Sequence, residues 1–413
     1  MWRGRVAWEG TGMASVKSVC VRAGTQADAA AITGLQEAGF GMRYGGDENE
    51  FRGDIFPVER SLVAVEGDRI VGHTVDRTMT VTVPGERSVR ACGVSGVAVA
   101  PTHRRRGILR ELYAAQHART EADGLPLTIF TASEGTIYGR FGYEVAILET
   151  AVSIDTRRAE FRSTTPDPGG VTLETLADAA PRIREIYERW QKVTSGAQGR
   201  PDAKWDLFFA DVERHRQGAT TLFVLLHADG YALFRRSRRA DCGIASVWEF
   251  RAVTPDAHAA LWRVLLGMDL VDTVEAEIAD DDPLAYMLTD PRTVQVTHRG
   301  DALWARVMDV PAALTARTYR ADLDTVVAVH DPFRDAGGNF ALRIRDGIAE
   351  CEPTTRPATL GFDINILGAL YFGGQRASTF AAAHRIAVED PMVLRAFDEA
   401  FVADRAPQLG WFF

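Results

Sequence analysis

Residues 97–109, Val-Ala-Val-Ala-Pro-Thr-His-Arg-Arg-Arg-Gly-Ile-Leu, carry the groups needed to hold a pyrophosphate. Val97 and Val99 alternate with Ala98 and Ala100 as a strand does, and Pro101 ends the ladder because it has no N–H to donate. Ile108, Leu109, Leu112 and Tyr113 then fall on one apolar stripe of a helix. Its first N–H groups, with roughly half a positive charge, face the turn before it. Gly107 lets a ligand approach the backbone, while Arg104, Arg105 and Arg106 present planar guanidinium forks that match phosphate oxygens. Taken alone, the same arginine run also fits a solvated basic turn or a nucleic-acid patch.

The spacing of Arg104 and Gly107 resembles the acyl-CoA signature of the GNAT acetyltransferase superfamily, with Leu109 standing where the last Gly or Ala would be. Residues 132–144, ASEGTIYGRFGYE, place Ser133, Tyr138 and three glycines in one strand–helix–strand segment. With residues 362–385, FDINILGALYFGGQRASTFAAAHR, and a final Phe413, they extend the likeness. From about residue 17 to the end the chain resembles the Eis family of N-acetyltransferases.

That resemblance implies acetyl-CoA as cosubstrate, its thioester along Val97, Ala98 and Val99, its pyrophosphate at Arg104, Arg105, Arg106, Gly107 and Ile108, and its chain touching Ser133. It implies Tyr138 as the general acid that protonates the departing thiolate and the Phe413 carboxylate as the base. It also implies an amine acceptor, aminoglycosides acetylated at several positions among them, and a homohexamer. Two departures bear on the acceptor. Gly96 and Phe412 stand where some members carry a bulky aromatic and an acid, so the pocket is expected to differ in shape and to be less acidic; polyamines, arylalkylamines and protein lysines remain acceptor classes. Phe40, Tyr44, Phe51 and Phe56 with Asp47, Glu48 and Glu50 read equally as an aromatic and acidic wall for a cation or as a capped amphipathic helix.

Elementary energetics constrain these roles. Backbone N–H groups near Val97 are expected to meet the oxyanion of the tetrahedral intermediate. A thiol has a reference pKa of roughly 8.5 and a tyrosine roughly 10, so the deficit for Tyr138 is about 2 kcal/mol. A terminal carboxylate near 3.5 and an aliphatic ammonium near 10 differ by roughly 9 kcal/mol, which disfavours direct proton abstraction from the ammonium. The Phe413 carboxylate is better suited to attracting the cation and relaying a proton through water, and burial against Trp411 and Phe412 is expected to raise its pKa. The Gly-Trp-Phe-Phe ending also reads as an apolar tail that pins the last helix.

Positioning these groups takes several domains, since 413 residues exceed one ordinary core. The fold class expected is α/β (α+β): tandem GNAT folds with mixed central sheets flanked by helices, then a sterol-carrier-protein-like domain. Residues 61–81 read as a hairpin around Gly67-Asp68, and 221–237 repeat it around Asp229-Gly230. Aligning Pro101 with Pro255 keeps strand, proline and helix but turns Arg104 into His258 and Gly107 into Leu261, so the second copy reads as unable to hold CoA. Residues 163–170 are all turn formers and mark a linker. The expected domains are 17–165, 166–306 and 307–413, the last with strands at 325–329 and 340–344 and helices around 363–371, 378–386 and 391–404. Residues 1–16, before or around Met13, are read as an extension without signal-peptide character.

Bulk properties fit a cytoplasmic enzyme. The net charge of −9 disfavours a general nucleic-acid binder and suits cationic small molecules, and no apolar run reaches membrane-span length. Cys20, Cys92, Cys242 and Cys351 are widely spaced, the nine histidines form no paired motif, and Asp280, Asp281 and Asp282 read as a loop or helix cap, so neither a metal nor a disulfide framework is expected. Two other classes remain beside the acetyltransferase: a CoA-binding regulator without turnover, disfavoured by Tyr138 and a free Phe413, and a lipid binder using the third domain, disfavoured by the lack of an exposed apolar stripe.

Overall fold

Alternating apolar residues build the expected hairpin, β2 (Ser61–Glu66) and β3 (Arg69–Val83), with β1 (Cys20–Ala23) on its outer edge and β4 (Arg87–Val99) on its inner one. The computed structural model describes residues 19–41 and 53–413. From β4 the chain passes through the Ile108–Ala122 helix to β5 (Leu127–Phe130), which pairs parallel with β4 across Ala91–Gly93 alone. β6 (Glu144–Asp155) completes the first set. The second set repeats it: β7 (Thr172–Thr175), β8 (Phe223–His227), β9 (Gly230–Arg239), β10 (Cys242–Ala252), β11 (Thr273–Ile278) and β12 (Val294–Val307). Here too the parallel pair, β10 with β11, is short, spanning Ile244–Ser246.

The mixed sheets expected of the two units join into one sheet of twelve strands, ordered β1-β2-β3-β4-β5-β12-β6-β11-β10-β9-β8-β7. β12 lies between β5 and β6, and β6 lies between β12 and β11, so each unit is completed by the other's last strand. Both exchanged strands bury apolar side chains, Val152 and Ile154 on β6 and Leu303, Ala305 and Val307 on β12. Their alternation fits this shared central position as well as it would fit two closed sheets.

The alignment of Pro101 with Pro255 needs correction. Pro255 is the first residue of the Pro255–Leu266 helix, capped by Thr254, whose hydroxyl accepts from Ala257 N at 3.2 Å. The first unit places eight residues between β4 and its helix, the second only Val253 and Thr254. The turn is therefore missing rather than filled, and Leu261 lies well inside the helix, buried with Trp262 and Leu265 against Ala245 and Val274.

The third segment forms a five-stranded sheet ordered β15-β14-β13-β16-β17, from β13 (Leu323–Asp331), β14 (Ala336–Arg345), β15 (Ile348–Thr354), β16 (Leu360–Asp363) and β17 (Ile386–Val388). The helix expected at 378–386 is Ala377–Ala382, and Ile386 instead opens β17. Every residue of the Ile364–Leu370 helix is buried, and the helix packs on β12 and β6 at the middle of the large sheet. Gly368 leaves no room for a Cβ against the Ala305 carbonyl, which is how the helix backbone reaches the strand. Buried Arg306 on β12 ion-pairs Asp331 on β13 and donates to the Phe141 carbonyl at 3.0 Å, tying the third domain to the turn that follows Tyr138.

Candidate active site

Past Gly93 and Ile129, β4 and β5 diverge, leaving the edge of β4 from Val94 to Val99 without a strand partner on that side among the described residues. A register shift between His73 and Val75 bulges β4 at Gly96, whose φ of 60° disfavours any side chain and whose Cβ would lie 2.5 Å from Gln36 Nε2. The glycine expected to change the pocket's shape is thus also required by the backbone. Buried His73 pins the bulge: Nδ1 lies 2.7 Å from the Gly96 carbonyl, and Nε2 lies 3.1 Å from the Ser61 hydroxyl. Val97, Ala98 and Val99 follow along the open edge.

The turn beyond them adopts positive φ at Arg105 (63°) and Gly107 (80°), which carries the backbone outward before the helix begins at Ile108. Arg104 to Gly107 are exposed, and a Cβ on Gly107 would meet nothing within 4 Å, the open space an anion needs. Arg106 is engaged elsewhere. It ion-pairs Glu66, His103 Nε2 lies 2.9 Å from the other carboxylate oxygen, and the two hold that carboxyl at about 2. Among the described residues Arg104 and Arg105 form no ion pair, so two of the three forks face solvent. Ile108 packs inward with Leu62, Ala64, Val71 and Leu112, and what it offers a ligand is its backbone N–H.

Tyr138 closes the other side of the gap. Its ring lies 4.4 Å from that of Phe130 and 6.1 Å from those of Tyr113 and Trp304. Burial, with Glu134 adding to it, pushes its phenol up to about 12. No described residue hydrogen-bonds its hydroxyl. Phe141 N donates to the Tyr138 carbonyl at 3.0 Å, so the Arg306 bond to Phe141 also steadies Tyr138. Ser133 is exposed, two residues beyond Thr131 at the end of β5.

Phe413 reaches the residue that follows β5. Thr131 Oγ1 donates to the terminal oxygen of Phe413 at 2.5 Å, across 282 residues of sequence. The ring of Phe413 is buried 5.2 Å from that of Trp411, whereas Phe412 is 65% exposed, so the apolar surroundings expected from both neighbours come from Trp411 alone. Between the Ala29–Phe40 helix and the face of β3 and β4 lies a cavity of about 640 Å³. Thr33 and Gln36 line it from the helix, Asp54, Phe56 and Glu59 from the next segment, and His73 and Ser95 from its floor. Of the wall suggested by sequence, Phe56 lines this cavity and half-buried Phe40 does not, while Tyr44, Asp47, Glu48, Glu50 and Phe51 lie outside the described residues.

Thr131, His73, Glu66 and Arg306 escaped the sequence reading, because what marks each is a partner far along the chain. Asp280 pairs Arg299, Asp281 accepts from Ala406 N, and Asp282 caps Leu284 N. Among the described residues no cluster of three or more His, Cys, Asp or Glu is placed for a metal, and no helix is long and apolar enough to cross a membrane.

A sheet opened at a parallel strand pair, an arginine–glycine turn at its mouth and a helix starting there define a GNAT acetyltransferase. Models of that domain, described as Acetyltransferase (GNAT) domain, match residues 20–146 and 196–307, and a Sterol carrier protein domain matches 310–410. Over 345 residues the chain is 43% identical to the N-acetyltransferase Eis of Mycobacterium tuberculosis, covering 82% of this chain and 84% of that one. An uncharacterized N-acetyltransferase of Streptomyces avermitilis is 34% identical over 385 residues, 89% of this chain and 93% of its own. The crystal structure of Eis1 from Mycobacterium abscessus superposes with a TM-score of 0.86 at 29% identity, covering 96% of this chain and all of that one. The chain belongs to the Eis family of N-acetyltransferases.

Proposed function

We propose that this chain transfers the acetyl group of acetyl-CoA to primary amines, aminoglycosides included, in the gap between β4 and β5. The observation that carries this reading is the convergence there of groups from distant parts of the sequence. The open edge of β4, the unhindered turn at Gly107 that follows β4, the Tyr138 phenol, with its ring against Phe130 of β5 and no hydrogen bond from a described residue, and Phe413, bonded by Thr131 just past β5, all lie on elements that border this gap.

The acetyl-CoA pyrophosphate is held by Arg104, Arg105 and the first backbone N–H groups of the Ile108–Ala122 helix, and Ser133 contacts the pantetheine side. Arg106 acts at one remove, through Glu66. The thioester lies along Val97–Val99, where backbone N–H groups at the unpaired edge meet the developing oxyanion. The amine nitrogen attacks the carbonyl carbon, a C–N bond forms, and the C–S bond breaks. The nitrogen's proton leaves through water to the Phe413 carboxylate; the Tyr138 proton goes to sulfur, and the phenolate is then reprotonated from solvent. The products are an N-acetyl amine and free CoA.

With Tyr138 near 12, proton transfer to an ordinary thiolate at roughly 8.5 is uphill by roughly 5 kcal/mol. Tyr138 therefore begins as a hydrogen-bond donor and gives up its proton only as charge builds on sulfur in the same dry site, which raises the thiol pKa too. The cavity beside Ser95, with Asp54 and Glu59 on its wall, is the acceptor site and suits a cation. The domain limits at 165 and 306, a homohexameric assembly and a cytoplasmic location belong to the same reading.

The test is release of free CoA by the purified chain with acetyl-CoA and a panel of aminoglycosides, polyamines and arylalkylamines. Turnover with at least one amine, with the N-acetyl product seen by mass spectrometry, is expected. Acetyl-CoA binding without product on every amine would favour the regulator instead.

A further inference from the structure

The second unit opens the same kind of cleft as the first: β10 and β11 part after Ser246 and Glu275. Its mouth has no arginine turn, and the chain's own tail lies there. Arg251 Nη2 donates to the carbonyls of Leu409 at 3.2 Å and Gly410 at 3.1 Å, and Arg200 Nη2 reaches the Gly410 carbonyl at 3.2 Å. Glu249 orients both guanidiniums from below, at 2.5 Å from Arg200 and 3.6 Å from Arg251. The side chain of Gln198, fully buried, turns its Oε1 to the tail and accepts from Gly410 N at 3.0 Å and Trp411 N at 3.3 Å. A Cβ on Gly410 would lie 2.6 Å from Gln198 N and from the Tyr187 hydroxyl, so the tail docks by backbone against backbone.

The other side of this latch is the first unit. Gln198 bridges Val81 of β3, Thr82 N donates to the Ala197 carbonyl at 2.9 Å, and Gly199 N donates to the Thr80 carbonyl at 3.0 Å. From Gly410 to Phe413 the extended chain spans only about 10 Å, so the terminal carboxylate goes where Gly410 goes.

We propose that the second unit's cleft is an internal peptide-binding site for residues 408–411, and that Gln198 is the positioning residue that sets the Phe413 carboxylate on Thr131. The positioning role rests on the reading that Phe413 serves the reaction; the docking site does not. The cleft that lacks the pyrophosphate turn thus serves the one that has it.

Gln198→Leu and Gly410→Ala, each alone and in a chain lacking Phe413, test this. Expected is a fall in kcat of about tenfold or more in either single variant with KM for acetyl-CoA unchanged, and less than a further twofold loss once Phe413 is absent, because residues acting as one unit are not additive. Carboxypeptidase should remove Phe413 and Phe412 faster from both variants than from the parent chain. Parental kcat and parental resistance in both variants overturn the proposal, as does a Gln198→Leu loss that persists undiminished without Phe413. If removing Phe413 leaves kcat intact while Gln198→Leu still exposes the tail, the catalytic reading of Phe413 falls and the docking site stands.

Discussion

Thr131→Val exchanges a hydroxyl for a methyl at the end of β5 and keeps the β-branched shape that the strand end accommodates. What it removes is the donor that holds the Phe413 carboxylate, a hydroxyl-to-carboxylate bond of 2.5 Å. Hydrogen bonds to charged groups contribute roughly 1.5–3 kcal/mol. Thr131 is only partly buried, so water can take over part of the donor's role and the lower end of that range applies, roughly a tenfold fall in kcat. Thiol release under saturating acetyl-CoA measures it directly, with the dissociation constant of acetyl-CoA and the melting temperature as controls. The dissociation constant should stay at its parental value, since the hydroxyl bonds Phe413 and not the arginine turn, and the melting temperature shows that the chain remains folded. A kcat within twofold of the parent in a folded Thr131→Val chain refutes the claim that this contact places a working group.

The open arginines and the paired one separate by substitution. Arg104→Ala or Arg105→Ala should raise KM for acetyl-CoA by roughly tenfold, the value of one charge-assisted bond, whereas Arg106→Ala should change it less, because Arg106 is committed to Glu66; equal effects from all three contradict this assignment. The pH dependence follows from Tyr138. Its raised pKa keeps the acid form present as pH rises, so kcat should climb as the acceptor ammonium, near 10, deprotonates, with no descending limb up to pH about 10. A descending limb below that pH, lost in Tyr138→Phe, would count against burial as the controlling influence on Tyr138.

The first cleft was legible because its parts are contiguous: alternating Val97 and Val99, a proline stop, an arginine turn and an amphipathic helix follow one another within 17 residues of sequence. Local periodicity likewise marked β2, β3, β8 and β9. Partners were not legible. β6 and β12 each alternate as any half-buried strand does, and nothing in either says that it closes the other unit's sheet. Glu66 and Arg106 meet across 40 residues, Gln198 and Gly410 across 212. The error at Pro255 has a physical cause as well: proline is favoured at the first turn of any helix, so Pro101 and Pro255 look alike in sequence while one opens the short 3-10 turn Pro101–His103 and the other begins the long α-helix. The roles proposed for Tyr138 and Phe413 rest on family resemblance, because no local pattern distinguishes a working tyrosine from a packed one.

Turnover and acetyl-CoA affinity measured side by side in Tyr138→Phe test the central claim most directly. The substitution removes one oxygen that no described residue hydrogen-bonds and leaves the ring among Phe130, Tyr113 and Trp304. An unchanged dissociation constant for acetyl-CoA is expected, with kcat lower by roughly 10²–10⁴-fold, the loss that follows deletion of a general acid. A kcat within threefold of the parent, at unchanged affinity, would contradict it and leave the thiolate to depart without Tyr138.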